Sequence, residues 1–384
     1  MKTKRLKLTI VLGTRPEVIK LAPVVHEAKR LGHDVKVVFS GQHREMGKAL
    51  MKSLGIQSDF DLDVMAPGQT LSSLSSKVIN QLDANEKHFL DSDYLLVQGD
   101  TTTSFVAAYW AFCKRIPIAH VEAGLRTYDL TAPFPEEGNR QLIGRIADLH
   151  FAPTDQAEKA LLKEKVSKEK VFSVGNTGID ALHFVLKMLK DPASRAQITE
   201  QERVPAKVDE FIGANKMVLI TAHRRESFGE GLEGICRGIL RLAEANPDIR
   251  FVYPVHPNPK VQETVRSFLG SQANLLLCDP LPYTAFVDLM ARSEILLTDS
   301  GGVQEEAPSL KKPILVLRET TERPEGVKLG FAKLVGFNPD KIFREATAAL
   351  KKGHQGKGKN PYGDGKASVR ILKELERAAK KKGR

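Results

Sequence analysis

Cysteine is scarce: three residues in 384, Cys113, Cys236 and Cys278. Their odd number, wide spacing and lack of any Cys-x-x-Cys argue against a disulfide framework or structural zinc, and their apolar surroundings predict buried structural thiols. Long apolar runs are missing as well. No stretch approaches the ~20 apolar residues that a membrane-spanning helix needs. The apolar run at 8–12 has only a strand's length and leads straight into a Gly-Thr-Arg-Pro turn, unlike a signal peptide. A soluble, cytoplasmic protein with no membrane partner is expected. No Gly-x-Gly-x-x-Gly follows that first run, so a nicotinamide site of the usual Rossmann kind is not indicated.

The formal net charge of +11 suggests nucleic acid until it is located. Residues 341–384 hold 14 Lys+Arg against 4 Asp+Glu, so this segment supplies +10 of the total and the remaining chain is close to neutral. Phe343 and Tyr362 are its only aromatics, and neither lies in the final basic helix to form a stacking platform. A solvated helix face is expected there, with no nucleic-acid partner.

A chain of 384 residues exceeds one comfortable core and predicts two domains. Short apolar runs rich in β-branched residues fall at 8–12, 35–39, 94–97, 116–121, 149–152 and 171–174. Amphipathic stretches separate most of them, at 16–31, 45–54, 71–90, 102–114 and 137–147. Strands at 217–221, 251–254, 274–277, 295–298 and 314–317 repeat the theme. This alternation predicts an α/β protein of βαβ units with mostly parallel sheets. The polar, breaker-rich region 191–209 suits a crossing between domains. Glycines after Leu350 mark a loop, and a last helix is expected over 366–382.

Two strand-to-helix turns have the composition of a diphosphate cradle. Thr298-Asp299-Ser300-Gly301-Gly302 allows backbone amides to approach an anion, with the Ser300 hydroxyl as a further donor and Glu306 able to accept from a ribose. Gly13-Thr14-Arg15-Pro16 sets Pro16 early in a helix, and Arg15 and Lys20 can both reach phosphate oxygens. Arg323 follows the next strand of the second half, and Phe286 offers a platform for a base. Acids collect at strand ends of the first half: Asp100 in Gly99-Asp100-Thr101, Glu122 in His120-Val121-Glu122, and Glu136 beside Glu137. Each also has a structural role open to it: Asp100 as a helix cap, Glu122 as a partner of Arg126, Glu136 or Glu137 at a helix start. His223 closes a strand of the second half.

In combination these segments resemble the bacterial non-hydrolysing UDP-N-acetylglucosamine 2-epimerase family. The resemblance rests on Gly13-Thr14-Arg15-Pro16-Glu17, Gly99-Asp100-Thr101-Thr102-Thr103, His120-Val121-Glu122-Ala123-Gly124-Leu125-Arg126-Thr127, Pro135-Glu136-Glu137, Ala222-His223-Arg224-Arg225-Glu226, Asp299-Ser300-Gly301-Gly302 and Thr321-Glu322-Arg323-Pro324-Glu325, in order from about residue 7 to 370. It implies two Rossmann-like domains facing across a cleft, as in GT-B glycosyltransferases. The first, 1–180, would carry catalytic carboxylates and the second, 181–363, would bind UDP, with a helix at 364–384 packing back on the first.

The resemblance further implies epimerisation at C2 of UDP-N-acetylglucosamine to UDP-N-acetylmannosamine, by elimination of UDP to 2-acetamidoglucal and re-addition, in a homodimer that needs no metal or other cofactor. Asp100, Glu122, Glu136 and His223 would be catalytic. Arg15, Lys20, Phe286, Ser300, Gly301, Gly302, Glu306 and Arg323 would bind UDP. Gln42 and His43 match an allosteric second-substrate site. The sequence departs from the family pattern at Tyr128, where glycine is common, at Thr131-Ala132 and at Gly68. A GT-B glycosyltransferase, an epimerase for a modified UDP-HexNAc, a hydrolysing epimerase and a non-catalytic UDP-sugar-binding protein are the competing readings.

Overall fold

A computed structural model describes residues 5–41, 44–66, 68–222, 224–353 and 356–382. They fall into two compact units, one of residues 1–184 with 362–384 and one of residues 185–361.

The first unit runs β1 (Lys7–Leu12), α1 (Arg15–Arg30), β2 (Asp34–Phe39), α2 (Arg44–Ser53), β3 (Phe60–Asp61), α3 (Leu71–Ala84), β4 (Tyr94–Gln98), α4 (Thr102–Cys113), β5 (Ile118–Val121), α5 (Glu136–Ile146), β6 (Leu149–Ala152), α6 (Asp155–Lys163), β7 (Val171–Ser173) and α7 (Thr177–Lys190), the last of which carries the chain into the second unit. Its seven strands are parallel in the order β3-β2-β1-β4-β5-β6-β7. The order reverses between β1 and β4, and open α/β sheets bind ligands at the carboxyl ends of strands beside such a switch. Val11, Val38, Leu95, Val97, Ile118, Val106 and Trp110 form one core cluster. Strand side chains alternate in direction, so Leu8, Ile10 and Leu12 serve the opposite face.

The second unit continues with α8 (Pro192–Gln197), α9 (Ala206–Ile212), β8 (Met217–Thr221), α10 (Glu230–Glu244), β9 (Arg250–Pro254), α11 (Pro259–Leu269), β10 (Leu275–Cys278), α12 (Tyr283–Arg292), β11 (Ile295–Thr298), α13 (Gly301–Glu306), β12 (Ile314–Val316), α14 (Pro324–Lys328), β13 (Ala332–Leu334) and α15 (Pro339–Lys352). Its parallel order, β10-β9-β8-β11-β12-β13, places the switch between β8 and β11. The polar region 191–209 contains α8, where Pro192 follows the Asp191 cap, and the start of α9, where Pro205 precedes Ala206.

The final helix α16 (Ala367–Lys382) packs against α1, and its Ile371, Leu372 and Leu375 are fully buried. Its start is capped from a distance. The Asp180 carboxylate accepts from the backbone N–H groups of Ala367 (3.1 Å) and Ser368 (2.8 Å) and from the Ser368 hydroxyl (2.7 Å). Lys373, Arg377 and Lys380 on this helix are exposed.

Three local expectations need correction. The helix expected over 71–90 stops at Ala84, where Asn85 leaves helical geometry and a short 3-10 turn follows at Glu86–His88. Strands β3 and β13 were not anticipated, since two or three residues give no measurable period. The cysteines are not uniformly buried: Cys236 is, Cys278 is half-buried, and Cys113 is exposed at the end of α4.

Candidate active site

In the first unit the register sets β4 and β5 level, Val97 opposite His120 and Gln98 opposite Val121. Asp100 and Glu122 therefore leave neighbouring strands at similar height. Glu122 adopts φ +63°. A non-glycine residue in that left-handed region carries a strain of roughly 1–2 kcal/mol. Its carboxylate accepts from Lys20 Nζ at 2.5 Å and from Gln98 Nε2 at 2.8 Å. Arg126 is committed elsewhere, bidentate to Glu164 at 2.7 and 2.9 Å, so a Glu122–Arg126 pair is ruled out in this structure. Just beyond, Gly124 at φ +90° has no room for a side chain, because a Cβ there would lie 2.3 Å from the Ala157 carbonyl oxygen.

Asp100 is not the cap of α4. The Thr101 hydroxyl takes that place and accepts from Ser104 N at 3.0 Å. The Asp100 carboxylate is left for Arg140, whose Nη2 lies 2.5 Å away. Burial pushes its pKa above the ordinary aspartate value, opposed by the charge of Arg140 and reinforced by that of Glu122.

Glu17 joins the two turns. Fully buried, its carboxylate accepts from Gly13 N (3.0 Å), Thr14 N (2.5 Å), Thr101 Oγ1 (2.8 Å) and Ser104 Oγ (2.6 Å). The turn bearing Arg15 and Lys20 is thereby fastened to the turn bearing Asp100. The spacing Thr14-x-x-Glu17 carries a capping signal that could have found it. Arg15 Nε is buried and has no hydrogen-bond partner among the described residues.

On α5, Glu136 is half-buried in the first turn and Glu137 is fully buried. Burial pushes the Glu137 carboxyl up, but Gln141, the backbone N–H groups of Thr127 and Tyr128, and Arg140 together hold it below the usual glutamate value. These bonds explain how Tyr128 occupies a left-handed φ of +62°, where the family pattern favours glycine. The exposed ring lies 5.5 Å from Lys163 Nζ.

His120 is fully buried, with Nε2 2.7 Å from the Gly99 carbonyl oxygen. Burial lowers its pKa to about 3 and that of neighbouring His150 to about 4.

In the second unit, β8 and β11 end together, with the Thr221 and Thr298 hydroxyls 2.7 Å apart. The chain leaving β8 is held at Ala222, whose carbonyl accepts from Tyr253 (2.8 Å), and at Arg224, whose N–H donates to buried Asp299 (2.7 Å). Ser300 begins α13, where Gly301 is buried and Gly302 exposed. A Cβ on Gly301 would stand 3.2 Å from Arg323 Cζ, so the glycine admits that guanidinium. Arg323 Nε and Nη2 both lie 2.8 Å from Glu305 Oε1, and Nη1 lies 3.1 Å from Glu322. Arg318, buried and not anticipated, bridges Glu226 (2.5 and 3.2 Å) and Glu322 (3.2 and 3.3 Å). It thus ties the segment after β8 to the Arg323 loop. Phe286 is half-buried on α12. Burial and the adjacent Glu306 hold the Tyr283 phenol well above its ordinary pKa. His223, Gln42 and His43 lie outside the described residues. Among those described, no group of three or more His, Cys, Asp or Glu is arranged to hold a metal ion, and no helix is long and apolar enough to cross a membrane.

A sequence model of the UDP-N-acetylglucosamine 2-epimerase family matches residues 26–376. The chain is 46% identical over 378 residues to a UDP-N-acetylglucosamine 2-epimerase of Yersinia pestis, covering 97% of this chain and 98% of the relative. For the Bacillus subtilis enzyme of the same name the identity is 45% over 377 residues, with 97% and 95% covered. The crystal structure of the Neisseria meningitidis UDP-GlcNAc 2-epimerase bound to UDP-GlcNAc superposes with a TM-score of 0.83 at 43% identity, covering 97% of this chain and all of that one.

The depressed pKa values of His120 and His150 have a consequence for stability. An unfolded histidine takes up its proton near pH 6.5, whereas these stay neutral in the fold until about pH 3 and about pH 4. The unfolded state therefore binds more protons over that window, and stability must fall as pH drops through it. Urea unfolding across the window is expected to show this slope, reduced in His120→Asn; a slope unaffected by the substitution would contradict neutral burial of His120.

Proposed function

The chain belongs to the UDP-N-acetylglucosamine 2-epimerase family, and from that membership we propose that it interconverts UDP-N-acetylglucosamine and UDP-N-acetylmannosamine in the cytoplasm. The observation that carries the reading is the pairing of Asp100 with Arg140 and of Glu122 with Lys20 at adjacent strand ends of the first unit.

The C2 proton of an intact sugar ring is not acidic, because no carbonyl adjoins it. Breaking the bond from C1 to the diphosphate sends the electron pair to UDP and leaves C1 cationic. A carboxylate then takes the C2 proton, and the C–H pair becomes the C1=C2 double bond of 2-acetamidoglucal. Return of a proton to the opposite face of C2, with attack of the diphosphate oxygen on C1, gives the epimer. Asp100, Glu122 and Glu136 are the proton-transfer candidates, for which reach comes before pKa. Arg15, Lys20, Arg323 and His223 stabilise the departing diphosphate. Ser300, Gly301 and Gly302 bind it through their amides, Glu306 takes the ribose and Phe286 faces the base. Lys20 has a second role here, since it also holds Glu122. Gln42 and His43 are proposed to meet a second, activating substrate molecule on the family pattern.

A homodimer is part of the same proposal. On α4, Tyr109 and Phe112 are 48% and 55% exposed, and Leu142 on adjoining α5 is 51% exposed. Phe105, one turn from Tyr109, has its ring 6.4 Å away. Exposed apolar side chains on two adjoining helices support burial against a second copy. Phe112→Glu should shift the sedimentation coefficient from dimer to monomer; a monomeric wild type, or a dimer untouched by the charge, would remove this face from consideration.

For the chemistry, Asp100→Asn and Glu122→Gln should each lower kcat by roughly 10²- to 10⁴-fold, with UDP binding retained by calorimetry. Near-normal turnover in either variant would withdraw that residue from proton transfer.

A further inference from the structure

Arg140 is largely buried on α5, and each end of its guanidinium meets a carboxylate: Nη2 lies 2.5 Å from Asp100 and Nη1 3.4 Å from Glu137. The residue before it, Asn139, donates to the Asp100 backbone carbonyl at 2.8 Å. One turn of helix thus grips both the side chain and the main chain of Asp100. The grip is itself anchored, because Glu137 accepts from Thr127 N, Tyr128 N and Gln141 independently of Arg140.

We propose that Arg140 is a positioning residue that orients the Asp100 carboxylate, keeps it ionised, and links its placement to the Thr127–Tyr128 turn through Glu137. The proposal rests on the reading of Asp100 as a proton-transfer group, taken here as the carboxylate that accepts the C2 proton. Its physical basis is the scarcity, among the described residues, of other cations acting on Asp100. Besides Arg140, the charged groups acting on Asp100 are Glu122 beyond β5, which disfavours its ionisation, and Lys20 on α1, which already sits on Glu122. Neighbouring Glu17 on α1 is occupied by its four donors, and His120 on β5 is held neutral against Gly99. Among the described residues, Arg140 is the cation paired with Asp100, and a paired guanidinium lowers a carboxyl pKa by about one to three units. Removing it favours the protonated acid, which cannot accept the C2 proton.

The test uses full-length protein labelled with ¹³C at aspartate carboxyls, with the Asp100 signal identified by its loss in Asp100→Asn. In Arg140→Gln that signal should titrate about one to three pH units higher than in wild type. The acid limb of kcat should move in the same direction, and kcat should fall by about 10- to 100-fold. Arg140→Lys should restore most of the titration but less of kcat, because a point charge cannot hold both carboxylates. The three other donors to Glu137 should preserve the fold, checked by an unchanged melting temperature in Arg140→Lys. An Asp100 titration unmoved in Arg140→Gln would overturn the proposal. A moved titration with an unmoved acid limb would uphold Arg140 as the partner of Asp100 and instead overturn Asp100 as the base that takes the C2 proton.

Discussion

The buried carboxylate of Glu17 is the contact on which the chemistry proposed for the first unit depends. A carboxylate taken out of water is costly unless its oxygens are occupied, and here four donors from two separate turns occupy them. The energetic requirement of one side chain therefore fixes the spacing between the Arg15–Lys20 turn and the Asp100 turn. Those turns flank the β1/β4 switch of the sheet, where the parallel topology leaves strand ends free to face a ligand. Lys20 on Glu122 and Arg140 on Asp100 then complete a set of alternating charges.

The second unit solves the same problem with the opposite balance of charge. Its strand order repeats that of the first around the β8/β11 switch. Asp299 holds the backbone at Arg224, and buried Arg318 holds Glu226 and Glu322. Arginine is suited to that position because its planar fork can serve two carboxylates at once. The loops that carry the proposed diphosphate contacts are thus braced by side chains that need not touch the ligand. In both units a buried charge with several partners aligns neighbouring strand ends.

Much of this was legible in the sequence. Parallel strands buried on both faces read as short apolar runs, so most strands were located within a residue or two, and the strand-end position of Asp100, Glu122 and Ser300 followed. Pairings between distant residues were not legible. Lys20 and Glu122 are separated by 102 positions, and nothing in local pattern shows that Arg126 turns to Glu164 instead. Asp100 and Thr101 are both good caps, and only the backbone geometry decides that Thr101 caps α4 and Asp100 is free for Arg140. The burial of Arg318 and Glu17 was not legible either, because burial has no local signature in a charged residue. Tyr128 stood out as a departure from the family pattern, and its left-handed backbone, braced by Glu137, shows how the fold accommodates it.

The account turns on departure of UDP from C1 followed by cleavage of the C2–H bond of the sugar. Its most direct test is proton NMR of the purified protein with UDP-N-acetylglucosamine in deuterated water. The account predicts growth of a UDP-N-acetylmannosamine anomeric signal with deuterium entering at C2. Epimer that forms with its C2 proton fully retained, release of free N-acetylmannosamine with UDP, or an unchanged spectrum would contradict it.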